Sequence, residues 1–172
     1  MLRPTLRRLN VVLIAPDIPG NTGCIGRTCM AVGARLHLVH PLGFSTDERS
    51  LRRAGLDYWP KLIEDKLVVE HANWDDFIAC EFGGADTAAI GRPWLYTTHA
   101  ERPHWDATYA PGDYLLFGSE TRGAAKEVHE YVGADGRVTL PMVAEARSTN
   151  LAAAVSAGLY EAVRQCSVRE AG

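Results

Sequence analysis

Three short stretches of the chain carry side chains whose types and spacing could do chemistry. The first reads Pro19-Gly20-Asn21-Thr22-Gly23-Cys24-Ile25-Gly26-Arg27-Thr28. Its Arg27 stands among small and apolar residues, where a guanidinium can meet a phosphate or steady an oxyanion. Asn21 and Thr22 are also residue types that cap a helix. The second, Gly118-Ser119-Glu120-Thr121-Arg122-Gly123, sets a carboxylate and a guanidinium on one tight loop. Gly118 allows close backbone approach to a ligand, and the same stretch also fits a turn with solvated charges. The third runs from Leu140 and Met142 through Arg147, Ser148, Thr149 and Asn150 to Leu151. Ser148, Thr149 and Asn150 are candidate caps for the helix that follows. Gly158 inside that helix costs about 1 kcal/mol against Ala, which points to a close packing partner.

Two common nucleotide sites are disfavoured. The span from Gly20 to Gly26 is one residue too long for a phosphate-binding loop, and Arg27 replaces its lysine. No G-x-G-x-x-G occurs. The six His include no i, i+4 pair, and Cys24, Cys29, Cys80 and Cys166 form no Cys-x-x-Cys, so nothing argues for a metal. Spread cysteines are expected as reduced thiols, as in a cytoplasmic protein.

Loops of this kind need strands to hold them. Residues 9–15 form an apolar run of the sort found in a strand covered on both faces. Residues 16–21 read as loop and 22–32 as a helix closed by Gly33. Residues 35–40 alternate and predict a second strand, parallel to the first through a right-handed crossover. Further strands are expected at 66–70, 94–98, 114–117 and 137–140, with helices at 48–54, 74–81 and 150–166. The alternation predicts one α/β domain with a mostly parallel sheet flanked by helices. Ligands in such sheets bind beyond the carboxyl ends of the strands, where the loops after Ala15, Thr98, Phe117 and Leu140 lie.

The 172 residues fit one core, and 47% hydrophobic with 23% charged is the composition of a globular protein. No apolar run approaches the ~18–20 residues of a membrane helix. The first residues lack the pattern of a secretion signal. A net charge of -3 argues against a polyanion partner, but it is unevenly spread. Residues 1–61 hold nine Lys/Arg against four acids, a net of +5, which leaves -8 for the rest. Such asymmetry fits a basic surface for a polyanion as well as a cluster of solvated arginines.

Taken together, Asn21-x-Gly23-x-x-x-Arg27, Phe117-Gly118-x-Glu120-x-x-Gly123 and Leu140-Pro141…Ser148-x-Asn150-Leu151 resemble the three motifs of the SPOUT methyltransferases, the knotted α/β RNA methyltransferases. The likeness covers nearly the whole chain in order. Leu51-Arg52-Arg53-Ala54-Gly55-Leu56-Asp57-Tyr58 is similar to a signature of one group among them. That group is the minimal tRNA (cytidine/uridine) 2'-O-methyltransferases that act on the wobble nucleotide of leucine tRNAs.

The resemblance implies a deep trefoil knot near the C-terminus and S-adenosylmethionine as methyl donor. It places cofactor contacts on Tyr96, Thr97, Thr98, Gly118, Glu120, Leu140, Met142, Ser148 and Leu151. It gives Arg27 the catalytic role, with Asn21 orienting the loop or the ribose. Arg49, Arg52, Arg53, Arg122, Asn150 and Tyr160 are the substrate-binding candidates, with Arg147 as a further cation. Tyr58 and Trp59 either stack on bases or are buried aromatics. The family further implies a cytoplasmic homodimer, without membrane or metal and without a separate RNA-binding domain. Ala153, Ala157 and Gly158 are expected at the dimer interface. Rival readings keep the fold but change the methylated RNA site, or reduce the protein to a non-catalytic RNA-binding module.

Replacing Arg52 and Arg53 with Ala is expected to weaken tRNA binding. It should also flatten the plot of log affinity against log salt by roughly 0.7–0.9 for each phosphate that is no longer neutralised. An unchanged slope in filter-binding titrations would remove both arginines from the interface.

Overall fold

The computed structural model describes residues 8–45, 59–84 and 91–169. The expected helix at 48–54, the Leu51 to Tyr58 signature, and Arg49, Arg52 and Arg53 lie outside the described residues.

Six strands are paired: β1 (Asn10–Ile14), β2 (Arg35–Val39), β3 (Val68–His71), β4 (Pro93–Tyr96), β5 (Tyr114–Phe117) and β6 (Arg137–Val138). Their order in the sheet is β3-β2-β1-β5-β4-β6, and every pairing is parallel. The described helices are α1 (Pro19–Val32), α2 (Trp59–Glu64), α3 (Trp74–Phe82), α4 (Lys126–Val132) and α5 (Leu151–Arg169). Parallel pairing aims every strand's carboxyl end the same way, so the loops after β1, β4, β5 and β6 share one rim.

Side chains alternate across each strand, and both faces are covered. Val11, Leu13, Leu36, Leu38, Leu115 and Phe117 meet Ile25 and Cys29 of α1, Trp59 and Leu62 of α2, and Val155 and Leu159 of α5. Val12, Ile14, Val39, Leu95 and Leu116 meet Phe77 of α3 and Val128 of α4 on the other face. None of the described helices is long and apolar enough to cross a membrane.

Several boundaries move from the sequence expectation. α1 begins at Pro19 rather than Thr22, because proline's missing N–H costs nothing in a first helical turn. Asn21 and Thr22 therefore sit inside the helix, and the cap position falls on Ile18 without a side-chain cap bond. The strand expected at 94–98 ends at Tyr96. Thr97 turns away and accepts the His99 N–H on its hydroxyl at 3.2 Å. The strand expected at 66–70 runs Val68–His71 instead, since Lys66 lies in the left-handed region at φ 54. Helices α2 and α4 were not expected; at six and seven residues they are too short to show a period. At the start of α5, Asn150 is the cap, its Oδ1 accepting the Ala152 and Ala153 N–H groups at 2.9 and 3.2 Å.

The close partners of two glycines are aromatic. Trp59 is fully buried and lies with Leu62 beneath Gly26, where a Cβ would come within 2.9 Å of Leu62 Cδ1 and 3.2 Å of Trp59. The core, not a nucleobase, takes this indole. Gly158 packs on Tyr96, and a Cβ there would come within 2.6 Å of the phenol oxygen and its ring carbon. Gly158 is thus buried inside its own chain, while Ala153 and Ala157 remain exposed. Further along α5, Gln165 accepts the Tyr109 N–H and donates to the Ala107 carbonyl, each at 3.0 Å, which ties the loop before β5 to this helix.

Gly158→Ala should gain helix propensity yet lose stability, because Tyr96 is held by Tyr109 and cannot retreat. The net loss expected from urea unfolding is about 1–3 kcal/mol, the usual cost of overpacking. An unchanged or raised midpoint would show that the packing there is slack.

Candidate active site

The rim of the sheet holds a cavity of about 450 Å³, lined by parts of all three chemistry-bearing stretches. That is ample for a small organic ligand. Tyr96, Thr97, Thr98, Gly118, Glu120, Leu140, Met142, Ser148 and Leu151 all contribute to its walls. So do Asn21, Arg122, Arg147 and Asn150.

The loop after β5 is a small closed ring. Ser119 N–H donates to the Gly123 carbonyl at 3.2 Å and Gly123 N–H returns to Ser119 at 3.0 Å. The Ser119 hydroxyl also accepts the Arg122 N–H at 3.1 Å. Gly123 supplies the φ of 69° that the ring needs. A Cβ on Gly118 would collide with the backbone of Gly123 and Ala124, so only glycine fits at this strand end.

Three loops are joined through Asn21. Its Nδ2 donates to Glu120 Oε1 at 2.9 Å, and its Oδ1 accepts Asn150 Nδ2 at 3.0 Å. Glu120 Oε2 accepts the Asp17 N–H at 2.7 Å. The Glu120 carboxylate is therefore committed on both oxygens to the first loop. It shapes the cavity wall while each oxygen keeps a second lone pair free to accept. Asp17 reaches back, accepting the Thr121 hydroxyl at 2.6 Å. That bond, aided by the Arg122 charge, holds the Asp17 carboxyl below the usual carboxylate range.

A model of the SpoU rRNA Methylase family matches residues 8–160. The chain belongs to this SpoU methylase family. It is 46% identical over 156 residues to the tRNA (cytidine(34)-2'-O)-methyltransferase of Saccharophagus degradans, covering 91% of this chain and 94% of the relative. A solved structure described as "Structural insights into the 2-OH methylation of C/U34 on tRNA" is 38% identical, with a TM-score of 0.78 and coverage of 92% and 96% of the two chains. The SpoU methyltransferase AviRb from Streptomyces viridochromogenes, solved in complex with AdoMet, is 27% identical with a TM-score of 0.76. It covers 94% of this chain and 59% of AviRb.

Within this SpoU fold, some residues singled out from the sequence do not line the cavity. Arg27 is exposed on α1, eight residues after its first. The helix runs back from the rim, so the arginine lies about 12 Å along it at 1.5 Å per residue. Tyr160 is 51% exposed on α5 and also stands apart from the cavity lining. Tyr96 lines the cavity, but its phenol belongs to the core. The ring stacks on Phe117 at 4.5 Å, and the hydroxyl shares a 2.7 Å hydrogen bond with Tyr109. Burial raises its pKa far above the ordinary tyrosine value, so it stays neutral. Arg122 lines the cavity while remaining 70% exposed, 3.9 Å from Asp17.

Sequence reasoning missed other cavity residues, among them Ile18, His99, His129 and Ala154. The two imidazoles come from the loop after β4 and from α4, with ring centroids 6.0 Å apart. Burial first, then the charges of Arg137 and His99, lower the His129 pKa, which favours its neutral form. No spacing rule links residues 30 positions apart on different elements.

Asn21→Asp tests the junction. It replaces a donor with a carboxylate facing Glu120, so both oxygens repel. Stability should fall by about 1–3 kcal/mol at neutral pH. Repulsion raises the folded-state carboxyl pKa, so the deficit is full above that raised value and vanishes below the ordinary carboxyl pKa of about 4. A deficit equal at acid and neutral pH in urea melts would contradict the assignment.

Proposed function

We propose that this protein transfers a methyl group from S-adenosylmethionine to the ribose 2'-oxygen of the wobble nucleotide, cytidine or modified uridine, in the anticodon loop of leucine tRNAs. The observation that carries the reading is the rim cavity, whose walls gather the residues of all three motifs. Its chemistry suits the donor. Leu140, Leu151 and Ala154 offer apolar surface to an adenine ring, and Thr97, Thr98 and Ser148 offer hydroxyls to the polar ends. Gly118 lets the loop after β5 fold back closely at the strand end, which shapes this part of the wall. The named relatives support tRNA nucleotide 34 as the target.

Bound there, S-adenosylmethionine supplies a methyl group already activated on a sulfonium. The protein's tasks are to align the ribose oxygen and to handle its proton. Asn21, fixed between Glu120 and Asn150, shapes the side of the cavity that the ribose approaches. Arg122, Arg147 and Asn150 line the same opening and are the substrate contacts in this reading. Arg27 is the cation for the reacting oxygen. Its guanidinium stays protonated, so it acts by stabilising negative charge at that oxygen or at an adjacent phosphate.

Arg27 reaches a cavity when two copies assemble. α1 and α5 lie side by side, joined by a 3.4 Å contact between the Thr28 and Ser156 hydroxyls. Arg27, Ala153, Ala157 and Tyr160 are exposed on these two helices. A homodimer joined through this face carries the arginine of one protomer to the cavity of the other, and Tyr160 to the shared surface. The reading includes a trefoil knot. It is supported by the membership in the SpoU methylase family and by the connection from β6 at the sheet edge to α5, which packs on α1 and β5. The protein works in the cytoplasm on this reading and needs neither metal nor membrane for methyl transfer.

Methylation of total tRNA with labelled donor, followed by mapping of the modified nucleotide, tests the substrate. Label at any position other than the wobble ribose of leucine tRNAs would replace it. Arg27→Ala should lower the transfer rate by about 10²–10³-fold while donor affinity stays close to the wild type. Turnover near the wild-type rate would remove Arg27 from the reaction.

A further inference from the structure

On the sheet face away from α1 and α5, polar groups of β2, β3 and α3 converge in an otherwise apolar layer. His37 of β2 and His71 of β3 are 0% and 2% exposed, and the Glu81 side chain of α3 is 16% exposed. His37 Nδ1 lies 3.0 Å from His71 Nε2 and 3.8 Å from Glu81 Oε1. Phe77 packs edge-on against both imidazoles. None of these residues lines the rim cavity.

Proton accounting shows an excess of acceptors. The Asn10 amide is oriented by its Nδ2, which donates to the Gly112 carbonyl at 3.0 Å. Its Oδ1 therefore accepts the His37 Nε2–H, at 3.3 Å. The 3.0 Å contact between the two rings has room for one proton, so the facing nitrogens are one donor and one acceptor. With its proton on Nε2, His37 presents a bare lone pair at Nδ1. His71 must then supply the single proton between the two rings. That leaves His71 Nδ1 bare, 4.0 Å from the Asp76 carboxylate, and Glu81 Oε1 facing the His37 lone pair.

We propose that His37 Nδ1, His71 Nε2 and Glu81 form a binding site for a divalent cation of the zinc type. Two imidazoles and one carboxylate are a known zinc ligand set that leaves a fourth position for water. At metal–ligand distances of about 2.0–2.2 Å, tetrahedral ligands sit roughly 3.3–3.5 Å apart, within a few tenths of an ångström of the 3.0 and 3.8 Å spacings from His37 Nδ1. On binding, the His71 proton moves from Nε2 to Nδ1, where it faces Asp76, and no proton is released. Each ligand then has a supporting partner on its far side. His37 has Asn10 and Glu81 accepts the Tyr114 hydroxyl at 2.8 Å on its other oxygen, while the Asp76 carboxylate lies 4.0 Å from His71 Nδ1, within electrostatic reach but not hydrogen-bonded. Such outer partners hold the ligands in orientation. The cation joins two adjacent strands to the helix that covers them, so its role is to fix this corner of the sheet.

A second set, His71, Asp76 and Cys80, meets around the opposite nitrogen of the same ring. It is the weaker candidate, because Cys80 is exposed and Asp76 Oδ2 already accepts the Ala72 N–H at 2.9 Å. The test uses the untagged full chain, stripped with a chelator and titrated with zinc chloride by calorimetry. One zinc per chain is expected, with a zinc-dependent rise in melting temperature. Glu81→Gln keeps an acceptor for Tyr114 but removes the anionic ligand, and should weaken binding by about tenfold or more. Cys80→Ser should bind zinc as the wild type does. Cobalt(II) loading of the wild type should give visible bands of a four- or five-coordinate site, an independent measure if Glu81→Gln unfolds. Absence of zinc uptake by the wild type overturns the proposal. So does binding that Cys80→Ser abolishes, or that a folded Glu81→Gln leaves unchanged.

Discussion

Asn21 is held by two bonds, and through them three loops distant in sequence are kept in one arrangement. Its amide donates to Glu120 and accepts from Asn150, across separations of 99 and 129 residues. An amide can do both at once; a carboxylate or an ammonium cannot. The junction also explains why Glu120 is an acid in a cavity wall. Its two oxygens gather N–H groups from Asp17 and Asn21, so its charge is spent on shaping the rim. Parallel pairing makes this possible, because it brings the ends of β1 and β5 side by side before any side chain acts.

The rim is supported from below by tight aromatic packing. Tyr96 fills the space left by Gly158, stacks on Phe117 and shares its hydroxyl with Tyr109. Tyr109 in turn donates to the His104 carbonyl at 2.8 Å. Its backbone N–H is held by Gln165 of α5. The last helix, the loop before β5 and the end of β4 thus form one packed unit beneath the cavity. Gln165 also donates to Glu161, whose carboxyl is held down to about 2, first by Arg164 and then by Gln165. A carboxyl lowered in this way supports the fold above its ordinary pKa and ceases to do so as the pH falls through about 2.

The two faces of the sheet have different characters. The α1, α2 and α5 face is nearly all apolar and carries the rim's supports. The α3 and α4 face encloses a polar cluster at His37, His71 and Glu81, outside all three motifs. Buried polar groups persist only where their hydrogen-bond needs are met.

Much of this is legible along the chain. Apolar runs and glycine stops mark β1, α1, β2 and β5, since burial on both faces leaves a strong local signal. The three motifs supply part of the cavity lining, because strand-end loops of a parallel sheet converge wherever the exact boundaries fall. Short helices α2 and α4 leave no such trace, being shorter than two clear periods. The direction of individual side chains is set by packing. Packing turns the Tyr96 phenol into the core, places Asn21 within a helix as a junction, and sets Arg27 away from its own cavity. It also brings His99 to His129 and His37 to His71, pairs whose members lie on different elements. Spacing along a chain predicts neighbours within one element. Contacts between elements depend on the packing of the whole sheet, which no local pattern encodes.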